Sequence, residues 1–183
     1  MPPPDEDAFR LRRQAALDHF CPFERALLAR CVACSRARTV LLAEREAIGC
    51  DAQAPSGRCH DFRERLRTAA RFALRADPSK PWPFSKEIRL QCGGLIGLNE
   101  ALDADADADI DADVDADVDA DVDVDADAVA AAAVADVVQG PSVADVDALV
   151  QRALQRYREF DALPWSRIIR AVTRHVPRRR APR

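Results

Sequence analysis

Long apolar runs are missing from this chain of 183 residues. The longest wholly apolar stretch, Ala128 to Ala135, has 8 residues, where a membrane-spanning helix needs roughly 20. This predicts a protein without a membrane segment. The opening Met1-Pro2-Pro3-Pro4-Asp5-Glu6-Asp7 leads into no apolar core of a signal peptide, so the expected compartment is the cytoplasm. Glycine is scarce, at 6 residues, and none of it forms a phosphate-cradling loop. There is no Ser-His-Asp or Cys-His arrangement with supporting context, and no paired carboxylates outside one repeat. An autonomous enzyme is therefore not expected. Only 10 residues are aromatic, most of them needed for a core, so no stacking platform for single-stranded nucleic acid is left over.

Lysine is almost absent as well, with 2 against 25 arginines, a bias that carries no functional reading. The net charge of −4 conceals a division. Thirteen of the 31 acidic residues are aspartates between Asp103 and Asp127, in a near-perfect Asp-Xaa repeat, and the rest of the chain sets 27 basic residues against 18 acidic ones. A period of two is nominally a strand signal. However, one face of such a strand would be a row of ionised carboxylates about 6.6 Å apart with little to bury, which predicts an extended, disordered insert. The repeat also lacks the glycine and the closing glutamate of a calcium-binding loop.

Outside the insert the periodicity is helical, and the predicted class is all-α, with about five to six helices around a Cys-rich segment. Helices are expected over Asp5–Phe20, over Phe23 to about Ile48 (Phe23, Leu27, Cys31, Cys34 and Leu41 on one face), over Asp61–Arg75, and from Ser85 through Leu102. Gly93-Gly94 in the last of these is expected to let another backbone come close. Pro55-Ser56-Gly57 reads as a loop. After Gly140-Pro141, Ser142 with Asp145 resembles a capping box for a helix bearing Val146, Leu149, Val150, Ala153 and Leu154, and Ser166 is placed to cap a last helix with Ile168, Ile169 and Val172. The expected organisation is one helical Cys-rich domain from 1–102 and 141–177, a low-complexity insert at 103–140 and a basic tail at 178–183.

The chemically pointed feature is the cysteines. Cys21, Cys31, Cys34, Cys50 and Cys59 fall within 39 residues, with Cys92 alone later. In a reducing compartment a disulfide framework is not expected, and thiolates brought together select a soft metal: zinc, copper(I) or an iron–sulfur cluster. If Phe23 to Ile48 is one helix, Cys21 lies about 15 Å along the axis from Cys31, beyond the reach of a shared metal. The expected ligands are therefore Cys31, Cys34, Cys50 and Cys59, and Cys21 joins only if the helix breaks near Arg30, a break that no glycine or proline announces. Positions i and i+3 set Cβ atoms about 5–6 Å apart, which suits a cluster, of the [4Fe–4S] kind, better than one tetrahedral zinc with sulfurs about 3.8 Å apart. His19 and His60, each beside a cysteine, are alternative ligands. The plainer alternative is that the cysteines are buried apolar residues, a reading that suits Cys92 best.

The function expected on these grounds is an iron–sulfur protein in electron transfer, in redox sensing or as an accessory subunit, with a redox or enzyme protein as partner. The alternative is a zinc-stabilised interaction or nucleic-acid-binding module, for which Arg63, Arg65, Arg67, Arg71, Arg75 and Arg178 to Arg180 would supply phosphate contacts.

Overall fold

The computed structural model describes residues 6–77, 79–112 and 142–176, with the side chains of the fourth helix as far as Ala106. The helices are α1 (Glu6–Ala16), α2 (Glu24–Leu28), α3 (Gln53–Ala70), α4 (Phe84–Ala112), α5 (Val146–Tyr157) and α6 (Trp165–Arg174), with a 3-10 turn at Phe160–Ala162. Between α2 and α3 lie two strands, β1 (Ala37–Leu42) and β2 (Arg45–Cys50). They pair antiparallel from Ala37 opposite Cys50 to Leu42 opposite Arg45. The protein is thus mostly helical with a small hairpin, and the expectation of an all-α chain is corrected at this point.

The long helix expected over Phe23 to Ile48 stops after 5 residues. Arg30 takes the left-handed conformation, φ 56°. Its N–H donates to the Leu27 carbonyl at 2.9 Å, and the Cys31 N–H donates to the Ala26 carbonyl at 3.2 Å. These two bonds are a Schellman closure, with arginine where glycine usually stands. The left-handed conformation costs a non-glycine residue roughly 1–2 kcal/mol, which the two bonded carbonyls and the burial of Phe23 and Ala26 offset. Arg75 repeats the arrangement after α3, with φ 47°, the Arg75 N–H on Phe72 and the Ala76 N–H on Arg71.

Helix α3 begins earlier than expected and includes Pro55-Ser56-Gly57. Proline in a first turn is tolerated, because the N–H it lacks has no partner inside the helix. Helix α5 is capped by Asp145, whose carboxylate accepts from the Asp147 and Ala148 N–H groups, rather than by Ser142. Helix α6 has no side-chain cap, so Ser166 does not serve as one.

Phe62 sits at the centre of the core, its ring 5.9 Å from Phe23, 5.6 Å from Phe160 and 6.1 Å from Trp165. Leu66, Leu90, Leu95, Leu98, Val150, Ile168 and Val172 complete it, so segments on both sides of the insert share one apolar interior. The close approach expected at Gly93 is present. A Cβ there would lie 2.7 Å from the Val172 Cα, and one at Gly97 would lie 2.9 Å from the Ile168 carbonyl oxygen. Helix α6 therefore rests on the bare backbone of α4.

The first aspartates of the repeat continue α4 as helix. Asp103 pairs with Arg152 at 3.0 Å and Asp105 with Arg167 at 3.0 Å, while Tyr157 donates to Asp105. Residues 113–140 of the predicted insert, Pro141 and the predicted basic tail at 178–183 lie outside the described residues.

Candidate metal-thiolate site

Three backbone arrangements gather the cysteines. Residues 19–21 run alongside β2, with the Cys50 N–H on the His19 carbonyl at 2.8 Å and the Cys21 N–H on the Ile48 carbonyl at 3.3 Å. Gly49 permits this, since a Cβ there would lie 2.9 Å from the His19 carbonyl oxygen. Cys21 thereby comes beside Cys50. Residues 31–33 lie against the start of α5, through the Ala33 N–H on Val143 at 2.8 Å and the Val146 N–H on Ala33 at 3.0 Å, which fixes Cys34 next to that helix. Cys59, in the second turn of α3, faces inward and is buried.

The result is a single small cavity bordered by Cys21, Cys34, Cys50 and Cys59, with Pro22, Pro55, Arg36 and Asp147 among its other walls. Its volume is about 10 Å³, room for about one water. Burial pushes the Cys21 thiol up to about 12, with the neighbouring Cys34 and Cys50 adding to the rise. Burial likewise raises Cys59, helped by Cys21, Cys34, Cys50 and Asp147. Cys34 is also raised by burial, against which the backbone N–H groups of Arg36 and Asp147 act by hydrogen bonding its sulfur. Each of the four thiols is thus within electrostatic reach of the other three.

Cys31, expected among the first four ligands, is placed elsewhere. It forms a disulfide with Cys92, a single bridge beside four free cysteines rather than a disulfide framework. The cause is the turn at Arg30, which swings Cys31 off the helical face it would have shared with Cys34 and onto α4. The same break brings in Cys21, the cysteine held in reserve. Neither His19 nor His60 borders the cavity. Among the described residues no group of three or more His, Cys, Asp or Glu side chains stands ready to hold a metal ion as placed.

The arginines of α3 are largely engaged within the molecule. Arg63 and Arg67 bind Glu87 at 2.9 and 2.8 Å, and Arg65 binds Asp161 at 2.9 Å. No helix among the described residues is long and apolar enough to cross a membrane.

Two features of the site had no counterpart in the sequence reading: the wall residues Arg36 and Asp147. A signal was present in Asp145-Val146-Asp147, where a second aspartate follows a helix cap onto a face otherwise apolar. No family model, curated protein or solved structure matches the chain.

Proposed function

We propose that this chain is a metal-thiolate protein in which Cys21, Cys34, Cys50 and Cys59 hold an iron–sulfur cluster of the [4Fe–4S] kind. Its work would be electron transfer, redox sensing or service as an accessory to a larger enzyme. The observation that carries this reading is that all four cysteines outside the disulfide border one cavity, although they come from four separate segments. Thiols with a merely apolar role have no reason to converge, whereas four thiols bordering one cavity suit a soft metal. Four thiolates are the number that a [4Fe–4S] cluster takes, one per iron. Backbone N–H groups on the Cys34 sulfur and, from Phe23, on the Cys21 sulfur are the kind of hydrogen bond that tunes a cluster's potential.

Because the raised thiols keep their protons at neutral pH, metal uptake releases protons and strengthens as pH rises. A second reading, structural zinc, is favoured by the size of the cavity. About 10 Å³ leaves the walls to spread before a cluster fits, whereas a single ion between four sulfurs asks for less space.

Anaerobic reconstitution with iron and sulfide, followed by visible absorption and metal analysis, tests the proposal. The expected product is brown, with iron and sulfide in equal amounts. Replacing Cys21, Cys34, Cys50 or Cys59 with serine should abolish it, and replacing Cys31 and Cys92 together should not. A colourless protein with one zinc per chain would sink the cluster, and a chain that holds neither metal would sink both readings.

A further inference from the structure

The molecule contains two buried carboxylates built to one plan. Glu87 in α4 and Asp147 in α5 are each 4% exposed. Glu87 binds Arg63 at 2.9 Å, Arg67 at 2.8 Å and the amide of Gln91, four residues on, at 3.3 Å. Asp147 binds Arg58 at 2.9 Å and the amide of Gln151, also four residues on, at 2.8 Å, with the Arg36 Nε at 3.5 Å. A buried carboxylate with two guanidinium partners and an amide meets the cost of its desolvation. Stability accounts for both.

What differs is where the partners lead. The arginines of Glu87, which follow Cys59 in α3 by one and two turns, do not border the cysteine cavity, and Gln91 goes on to accept from the Ala26 N–H at 3.1 Å. Arg58 directly precedes Cys59, and Arg36 stands two residues after Cys34. The Asp147 N–H, which donates to the Asp145 carboxylate at 3.0 Å, also lies close enough to the Cys34 sulfur to favour its thiolate. Asp147 and Arg36 together border both the cysteine cavity and an open polar cleft of about 480 Å³ beside it. They are the wall between the thiols and that cleft.

We infer that Asp147 is a positioning residue of the cysteine site: through Arg58 and Arg36 it fixes the Cys59 and Cys34 segments against each other and closes the site on the cleft side. This rests on the metal-thiolate reading and deepens it. Partners standing behind metal ligands typically contribute 10–100-fold to metal affinity, and the carboxylate also keeps two positive charges next to an anionic thiolate centre.

The test compares Asp147→Asn with Glu87→Gln, since each removes one buried charge from one network. Both variants should melt below the wild type. After reconstitution, release of metal to a chelator should be about tenfold or more faster in Asp147→Asn and unchanged in Glu87→Gln. In metal-free protein, alkylation of Cys34 and Cys59 by iodoacetamide should accelerate in the first variant alone. If Asp147→Asn fails to fold, Arg36→Gln, a change at a half-exposed side chain, should show the same two effects at smaller size. Release and alkylation rates in Asp147→Asn, or in Arg36→Gln, equal to those of Glu87→Gln would overturn the positioning role. A wild type that takes up no metal fails the metal reading itself, and the alkylation rates then decide the positioning role alone.

Discussion

Helices α4 and α6 and the cysteine-bearing region are held together by different means. In the first, apolar side chains are spaced at helical intervals, and Gly93 and Gly97 let the two backbones meet, so that Leu90, Leu98, Ile168 and Val172 are fully buried. In the second, Phe23, Val32 and Ile48 are buried, but the segments around Cys21, Cys34 and Cys50 are not set against one another by helix packing. They are positioned by backbone hydrogen bonds across chain segments, by the cap at Asp145, by Asp147 with its arginines and by one disulfide. Burial is additive and tolerant; a region held by a few polar ties and one covalent bond depends on each of them. The body therefore acts as a scaffold, and the cysteine region is the part that a metal would complete.

The sharpest way to break this comparison is to cut the covalent link between the regions. The Cys31–Cys92 disulfide closes 61 residues of chain, a loop whose closure stabilises by about 4 kcal/mol on the chain-entropy account. In a Cys31→Ala, Cys92→Ala double variant, chemical denaturation should show a loss of about that size. Hydrogen exchange should locate the loss: amides of residues 31–50 should lose protection first, and those of α4 and α6 should keep theirs. Uniform loss across both regions would show a single cooperative unit and dissolve the distinction.

Next in size is a change inside the scaffold. Gly93→Val places branched carbon where a Cβ alone would lie 2.7 Å from the Val172 Cα and 3.1 Å from the Ala171 carbonyl oxygen. Those neighbours are backbone and cannot rotate away, so α6 must move off α4, at a cost of about 3 kcal/mol. The drop in denaturation midpoint should come with an unchanged count of metal-bound cysteines per folded molecule. Loss of metal without loss of stability would mean that the scaffold and the site are not separable.

The two regions also differ in how far they can be read from residues alone. The apolar faces of α4, α5 and α6 follow from spacing, because burial is what formed those helices. The convergence of cysteines was legible as clustering, but the membership of the group was not. It turns on Arg30, where a left-handed residue that is not glycine ends α2. Closures of that type are recognised by their glycine, and this glycine-poor chain uses arginine at both Arg30 and Arg75. The hairpin was hidden for a related reason. Phe23, Leu27, Cys31, Cys34 and Leu41 coincide with helical steps, yet Thr39, Val40 and Ile48 are strand formers, and Thr39 pairs with Ile48 once the chain has turned. Pro55-Ser56-Gly57 misleads in the opposite direction, since its proline falls in a first helical turn, where it does no harm.

The smallest effect tests whether the cysteine region has slack that burial does not use. Gly57 lies inside α3, two residues before Cys59, and a Cβ added there would meet nothing within 4 Å. Glycine in a helix interior is less favourable than alanine by roughly 0.5–1 kcal/mol, through the freedom it has in the unfolded chain. Gly57→Ala should therefore raise the denaturation midpoint by a corresponding amount, with no change in metal release, because the new methyl group meets neither Asp147 nor a cysteine. If the variant is instead destabilised, the start of α3 is not helical in solution, and Cys59 loses the placement that puts it among the four.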